Sequence, residues 1–186
     1  MNIREKVALA MEKVVMLSVV FGDLLEKTWE FYVQSFPEGY SMYLRDFEKE
    51  QFMKSLQSPN FIKFYFTENS EILGFAMITK DARSMEIGTD IDPFFFQKKS
   101  PASVGKLYWI SIFAIKEGCE LKVIAPLAAK MFNYIFSEGC MASFSRELEE
   151  VPTMIRMIRK VCKNFLGFDI GEREISHEIT SVIWKI

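Results

Sequence analysis

The sequence predicts one α/β domain built on a mixed, mainly antiparallel sheet of six to seven strands with helices against its faces. Apolar runs of strand length alternate along the chain with amphipathic helical stretches. Two adjacent runs are joined by a short polar turn, and a nine-residue apolar run, LYWISIFAI at 107–115, is followed by a helix. The 186 residues suit a single domain over 1–186, with residues 1–13 an N-terminal helix or a leader.

The first half of the chain predicts a strand, two helices and a β-hairpin. Its opening strand is β-branched, and Asp23 is placed to cap the helix that follows. The hairpin is indicated by two strand patterns on either side of Glu68-Asn69-Ser70-Glu71. In order, the elements are a strand at 14–21, helices from Asp23 to about Phe36 and at 43–56, and antiparallel strands at 61–67 and 72–79.

The second half predicts alternating strands and helices after a long irregular segment at 80–105. This segment contains Phe94, Phe95 and Phe96, which either line a ligand groove or fill an edge of the core. The elements that follow are a strand at 107–115, a helix led by Pro126 and ended by Glu138-Gly139, a strand at 140–144, an amphipathic helix at 152–165, and strands at 168–175 and 179–186.

Composition excludes several classes of function. The net charge is -2, so no overall field favours nucleic acid or an anionic membrane. Three cysteines without CxxC spacing indicate reduced thiols and a cytoplasmic location. The apolar run at 14–21 is too short to span a bilayer. His177 is the only histidine, so a metal site built on several histidines is not expected. Asp90 and Asp92 are two acids in one loop without further spaced ligands, so they are only a weak candidate for a cation site, and we expect no metal.

Two polar features have alternative interpretations. Cations at helical spacing near the end of the chain either bind a phosphate or an acidic partner, or form a solvated helix face. These cations are Arg156, Arg159, Lys160 and Lys163. The single histidine lies in the last predicted hairpin, where it is a surface turn residue or borders an acceptor site.

The junction after the 107–115 strand is the strongest functional signal. Amides that open a helix bind anions, and many folds hold a cofactor phosphate where a buried strand leads into a helix. The link reads KEGCELKVIAP and contains only one glycine. The junction therefore predicts the architecture of a phosphate site more firmly than its side-chain chemistry.

The order of elements resembles the GNAT N-acyltransferase superfamily over residues 14–186. Short motifs support the resemblance: SFPE at 35–38, ILGF at 72–75 and FLGF at 165–168. The resemblance implies binding of acetyl-CoA or another acyl-CoA and transfer of the acyl group to an amine on a small molecule or a peptide. It leaves open whether the protein forms a homodimer.

The resemblance also implies where the cofactor lies. The 107–115 strand would pair with the pantetheine arm, and the phosphate loop of the family, Q/R-x-x-G-x-G/A, falls on residues 120–125. The implied cofactor-binding residues are Phe113, Ala114, Ile115, Leu121, Lys122, Val123, Ile124 and Ala125. Glu120 and Val123 depart from the family's loop, because an acid replaces the Gln or Arg and a β-branched residue replaces glycine.

Candidate catalytic groups are sparse. Lys163 stands where family members often place a tyrosine acid, five residues before the Phe of the GF motif. Tyr108 and Ser111 are the candidates on the 107–115 strand, where they either relay a proton or are buried, hydrogen-bonded hydroxyls. The sequence thus predicts an acyl-CoA-dependent N-acyltransferase. The alternatives are a catalytically degenerate binding or interaction module of the same fold, and a transferase for longer acyl chains.

Overall fold

A computed structural model describes residues 2–36, 48–79, 107–138, 141–145, 151–174 and 180–185. Its first half contains α1 (Ile3–Met11), β1 (Val14–Leu17), α2 (Asp23–Ser35), α3 (Lys49–Gln57), β2 (Phe61–Glu68) and β3 (Glu71–Thr79). Its second half contains β4 (Leu107–Ile115), α4 (Glu120–Ser137), β5 (Met141–Ser145), α5 (Val151–Val161) with a π-helical turn at Cys162–Leu166, β6 (Ile170–Glu174) and β7 (Thr180–Lys185).

These strands form one sheet in the order β1-β2-β3-β4-β5-β7-β6. Neighbours pair antiparallel except β4 and β5, which are parallel because α4 crosses between them. The predicted fold class, a mixed and mainly antiparallel sheet flanked by helices, is confirmed.

Each face of the sheet has its own apolar core. On one face, α1, α4 and α5 cover a cluster that includes Phe64, Leu127 and Ile158. On the other face, α2 and α3 cover a cluster that includes Tyr65 and Phe75. Because successive β2 residues alternate between these clusters, every side chain of the Phe61–Phe66 run except Ile62 is buried.

The β2–β3 hairpin forms as predicted, with a two-residue turn at Asn69 and Ser70. Both residues have positive φ, 50° and 66°. Two consecutive left-handed residues match the twist of the flanking strands, and asparagine tolerates this region better than most side chains. The turn places Glu68 and Glu71 at the end of the sheet where α4 begins.

The first strand is shorter than predicted, since β1 ends at Leu17 rather than near Phe21. The chain there turns towards α3, where the Val20 amide donates to the Leu56 carbonyl at 3.1 Å. The Ser18 carbonyl accepts from the buried Lys63 ammonium at 2.8 Å. After Leu17 the chain therefore leaves the sheet, because hydrogen bonds to α3 and to Lys63 replace the strand pairing that the β-branched pattern predicts.

Asp23 is not the cap of α2 but its first residue. Gly22 precedes the helix with φ 61°, and no side chain caps the helix. The Asp23 carboxylate is still favourable in the first turn because it faces the positive end of the helix dipole. At α1, by contrast, Asn2 and Glu5 form a complete capping box, with N···O distances of 3.0 and 2.8 Å.

Other boundaries move by a few residues. The described part of the second helix begins at Lys49, and the described parts of the last two strands are Ile170–Glu174 and Thr180–Lys185, within the predicted 168–175 and 179–186. The irregular segment at 80–105, with Asp90, Asp92 and the three phenylalanines, lies outside the described residues, as do Gly139, Cys140 and His177. None of the helices in the described segments combines the length and the apolar character that crossing a bilayer requires.

Candidate functional site

The parallel strands β4 and β5 pair at one end and then separate. Their register is Leu107 with Met141, Tyr108 with Ala142 and Trp109 with Ser143, and no further pair of these strands occurs among the described residues. β4 continues along β3 to Ile115, while Phe144 and Ser145 of β5 pair only with β7. Within the described residues the pairing of β4 with β5 therefore ends at Trp109 and Ser143, and we call the unpaired side of β4 beyond this point the gap.

A β-bulge at Ser111 lies where the gap begins. Met77 of β3 pairs with Ile112 and Ile78 pairs with Ile110, so Ser111 is the extra residue of β4. The bulge also reverses side-chain alternation, because Ile110 packs on the α4 side whereas Ile112 packs on the α2 side. Bulges bend and twist a strand, which is a physical reason for β4 to turn away from β5 here.

The backbone of β4 beyond the bulge presents hydrogen-bonding groups to the gap. The Lys116 amide donates to the Leu73 carbonyl at 2.9 Å, which makes Ile115 and Gly74 a non-hydrogen-bonded pair of the antiparallel ladder. By alternation, the N–H and C=O groups of Phe113 and Ile115 face the gap. Those of Ala114 face β3, so this predicted cofactor-binding residue does not offer its backbone to the gap.

Ser111 adds a polar side chain at the same place. Its Oγ is buried and has no hydrogen-bond partner within the part of the chain that the structure describes. A buried hydroxyl without a partner is costly, and such groups usually mark a site that a ligand or water completes. Ser111 is thus a buried, unpartnered hydroxyl next to the point where the β4–β5 pairing ends.

Tyr108, the other predicted catalytic residue, lies in the core. Its side chain is fully buried on the α4 side, and its hydroxyl lies 3.4 Å from the Tyr134 hydroxyl of α4, in ring-edge contact. This arrangement matches the interpretation of a buried, partnered hydroxyl. Sequence reasoning missed Tyr134, whose contact depends on a helix that crosses over the strand.

The helix after β4 begins six residues earlier than Pro126 suggests. α4 starts at Glu120, so the link is only Lys116–Cys119 and the predicted phosphate loop at 120–125 is helical. The preference of proline for the first helical turn predicts that Pro126 begins the helix, and this prediction is wrong. Pro126 lies inside α4. Val123 and Leu127 lie one turn apart, and both side chains are buried against the sheet. The free energy of this burial compensates for the backbone hydrogen bond that Pro126 cannot donate.

Val123 is a core residue and not a ligand-facing one. It is fully buried, and its Cγ1 would lie 2.4 Å from a Cβ atom built on Gly74 of β3. Its amide donates to the Cys119 carbonyl at 3.1 Å, as does the amide of Lys122. Neither amide is available to an anion. Within the first turn, only the amides of Glu120 and Leu121 have no partner among the described residues.

Ion pairs engage the lysines around the start of α4. Lys122, predicted to bind phosphate, forms an ion pair with Glu68 of the hairpin, and Lys13 lies 3.7 Å from the same carboxylate. The Lys122 ammonium holds the pKa of the Glu68 carboxyl below its usual value, mainly through their hydrogen bond. Lys116 pairs with Glu71, and this hydrogen bond raises the pKa of the lysine.

The Glu120 side chain binds the backbone of the link at Lys116–Cys119. Its Oε1 accepts a hydrogen bond from the Gly118 amide at 3.0 Å, and Gly118 has the left-handed φ of 79° that glycine allows. A protein carboxylate thus occupies an amide of the kind that would otherwise receive a phosphate oxygen. The gap thus offers unpaired backbone groups of β4, whereas the side chains around the start of α4 include a carboxylate that already binds a link amide.

Lys163 and Cys162 lie next to each other at the end of α5, in opposite surroundings. Lys163 is exposed and lies 3.6 Å from Asp169. Burial raises the pKa of the Cys162 thiol to about 12, so this cysteine is a core thiol without nucleophilic character. Among the described residues, no group of three or more His, Cys, Asp or Glu side chains is arranged to hold a metal ion.

Comparisons with known proteins identify the fold. No family model and no curated protein matches the chain. Among solved structures, an aminoglycoside acetyltransferase from an uncultured soil metagenomic sample, in complex with sisomicin, is similar with a TM-score of 0.53 at 12% identity over 88% of this chain and 91% of its own.

Two further structures agree. An N-acetyltransferase from Staphylococcus aureus Mu50 has a TM-score of 0.52 at 13% identity, covering 92% of this chain and 95% of its own. FeeM, an N-acyl amino acid synthase from uncultured soil microbes, has a TM-score of 0.52 at 15% identity, covering 92% and 94%. The chain has the fold of the GNAT N-acyltransferases, which confirms the resemblance of its sequence at the level of fold.

Proposed function

We propose that this protein is an N-acyltransferase that takes an acyl group from acetyl-CoA or another acyl-CoA and transfers it to an amine. The end of β4–β5 pairing after Trp109 carries the proposal, because it leaves backbone groups of Phe113 and Ile115 without a strand partner on the β5 side, where a pantetheine arm would pair. The fold, shared with acetyltransferases and an N-acyl amino acid synthase, supports the same class of reaction. A cytoplasmic location and a single domain over residues 1–186 belong to this proposal.

The chemistry requires little from the side chains. The amine nitrogen forms a bond to the acyl carbon, the C–S bond breaks, and the sulfur leaves with the electron pair and takes up a proton. The amine loses one proton in the same reaction, to a base or to water. A hydrogen-bond donor near the thioester carbonyl favours the charge that develops on its oxygen.

The residues of β4 have distinct roles in this proposal. Backbone groups of Phe113 and Ile115 hydrogen-bond the amides of the pantetheine arm, as in the addition of a strand to a sheet. The Ser111 hydroxyl donates to the bound thioester or orients it, since this group has no other partner among the described residues. Tyr108 supports β4 from the core.

Binding of the donor tests the proposal directly. We expect acetyl-CoA, hexanoyl-CoA or decanoyl-CoA to bind saturably in calorimetry and to raise the Tm, since a ligand that binds only the native state stabilises it. Comparison of the three chain lengths also tests the preference for longer acyl groups. The absence of both binding and stabilisation at millimolar concentrations of all three would contradict the proposal.

The role of Ser111 is tested by substitution. Ser111→Ala should lower kcat for transfer to a panel of amines by about tenfold or more, while the Tm stays close to that of the parent protein. Ser137→Ala is a matched control at the opposite end of α4, where the hydroxyl donates to a carbonyl of its own helix at 2.9 Å. Equal activity of both variants would remove Ser111 from the site.

A binding module without turnover is the second candidate. The carboxylates at the α4 start and the exposed Lys163 favour it, because the side chains that aid phosphate binding and thiol protonation in the family are replaced. Saturable donor binding without acyl transfer to any amine of the panel would support this candidate over the enzyme.

A further inference from the structure

The charges around the first turn of α4 disfavour the nucleotide half of an acyl-CoA donor. That half contains a diphosphate and a 3′-phosphate, which are strongly negative near neutral pH. The described side chains nearest the turn are the carboxylates of Glu68, Glu71, Glu117 and Glu120 and the ammonium groups of Lys13, Lys116 and Lys122. Acids outnumber bases in this set, so it offers a phosphate no net attraction.

Each cation of this set is already bound by a carboxylate. Glu68 holds Lys122 and lies near Lys13, and Glu71 holds Lys116. A diphosphate would have to compete with the hairpin for these ammonium groups. Glu120 also occupies the Gly118 amide and brings its own negative charge to the place where a phosphate would lie.

Among the described residues, the part of β4 that borders the gap beyond Ser111 carries no charged side chain. The side chains of Phe113 and Ile115 are apolar, and the backbone groups of these residues remain available on the gap side. The described part of the site therefore combines an uncharged edge of β4, suited to the amides of pantetheine, with a helix start whose side chains offer phosphate no net attraction. This contrast in one molecule points to the part of the donor that is recognised.

Resting on the proposed acyltransferase function, we infer that the site recognises the acyl-pantetheine part of its donor and gains almost nothing from the nucleotide. Pantetheine thioesters that lack the 3′-phosphoadenosine diphosphate, either free or attached to a carrier protein, are then donors as good as acyl-CoA. The transfer is unchanged: the C–N bond forms, the C–S bond breaks, and the pantetheine thiolate leaves and takes up a proton.

The first test compares donors that carry the same acyl group. S-acetylpantetheine and acetyl-CoA should give kcat/KM values within about tenfold of each other with one amine acceptor. A preference for acetyl-CoA greater than this overturns the inference. An acetylated carrier protein forms the third arm. A kcat/KM well above that of S-acetylpantetheine identifies a carrier as the source of the arm, and an equal value identifies free thioesters.

The second test measures binding without turnover. Adenosine 3′,5′-bisphosphate, the nucleotide without pantetheine, should show no saturable heat in calorimetry at millimolar concentration and should not inhibit transfer. Micromolar binding or competition with the donor overturns the inference. This probe reports on any cation that contributes to nucleotide binding, wherever it lies in the chain.

Charge removal supplies a third readout. Glu120→Gln should raise kcat/KM for acetyl-CoA several-fold relative to S-acetylpantetheine, because it removes a negative charge and weakens the hydrogen bond to Gly118. Glu30→Gln, on the exposed side of α2, is the matched control and should leave this ratio unchanged. An unchanged ratio for Glu120→Gln contradicts the inference.

The outcomes separate this inference from the proposed function. If neither acetyl-CoA nor any nucleotide-free thioester binds or reacts, the acyltransferase proposal fails. If acetyl-CoA reacts well and S-acetylpantetheine does not, the acyltransferase proposal stands and only the inference fails.

Discussion

Gly74 and Val123 fix how closely α4 approaches the sheet. A Cβ atom at Gly74 would meet Val123 Cγ1 at 2.4 Å and Leu127 Cδ2 at 3.1 Å. The glycine of β3 therefore provides the space that the β-branched side chain of α4 fills. Val123 stands where the family's loop has a glycine, and Gly74 of β3 leaves the space that its side chain needs.

Gly74→Ala should lower the free energy of unfolding by about 1 to 3 kcal/mol because of overpacking against Val123. Val123→Ala alone should also destabilise the protein, since it leaves a cavity. The double variant should be less destabilised than the sum of the two, because each change relieves the other. Urea unfolding measures all three, and strictly additive losses would contradict the contact.

Lys63 is a buried lysine whose ammonium binds two backbone carbonyls. Its side chain is 0% exposed, and its Nζ donates to the carbonyls of Ser58 at 2.6 Å and Ser18 at 2.8 Å. Desolvation lowers the pKa of Lys63 to about 8. The ammonium connects the end of α3 with the link from β1 to α2, which explains a charge in the middle of an apolar strand.

The lowered pKa predicts a pH dependence of stability. Below pH 8, Lys63 is protonated in both states, and the native state bears the whole cost of burying the charge. Between pH 8 and the unfolded value of 10.5, the unfolded state binds more protons, so stability rises with pH. Urea unfolding from pH 7 to pH 10 should show this rise relative to Lys63→Met, and parallel curves for the two proteins would contradict it.

At the scale of elements, the β2–β3 hairpin is the best predicted feature. Its turn residues and strand periods are local signals, and the observed strands extend the predicted ones by at most one residue at each end. The bounds of β4 were also predicted correctly. Its bulge could not be, because LYWISIFAI is apolar on both faces and contains no glycine or alternation to reveal an extra residue.

A substitution in the hairpin turn should stabilise the protein. Ser70 has a φ of 66°, a region where a side chain is strained, so Ser70→Gly should raise the free energy of unfolding by about 0.5 to 1 kcal/mol. Ser58→Gly is the matched control, because Ser58 has a φ of −81° and should only lose stability. Thermal and urea unfolding compare the two, and a loss in both variants would contradict the left-handed turn.

At the scale of the whole molecule, the sheet is closed on both faces by helices that are distant in sequence. The N-terminal helix α1 packs Val7, Ala10 and Met11 against the core cluster that α4 shares with the sheet. Leu9, on the other side of the same helix, is 54% exposed. The segment that the sequence leaves as a helix or a leader is thus a packed helix.

This packing predicts unequal effects along α1. Val7→Ala should lower the urea midpoint more than Leu9→Ala, because only the first side chain contacts the core. Fluorescence and far-UV circular dichroism should give one coincident transition for the parent protein, as expected of a single domain. Equal effects of the two substitutions, or two separate transitions, would contradict this view of the molecule.

The sequence by itself determined the type and order of the elements, the hairpin, the strand that borders the gap and hence the fold, because periodicity and turn chemistry are local properties. Only the tertiary structure decided where β4 leaves β5, that Ser111 is the extra residue, and that α4 starts at Glu120. It also decided that Lys122 is bound by Glu68, a partner 54 residues away. These features depend on contacts between distant parts of the chain, and no local pattern encodes the free energy of such contacts.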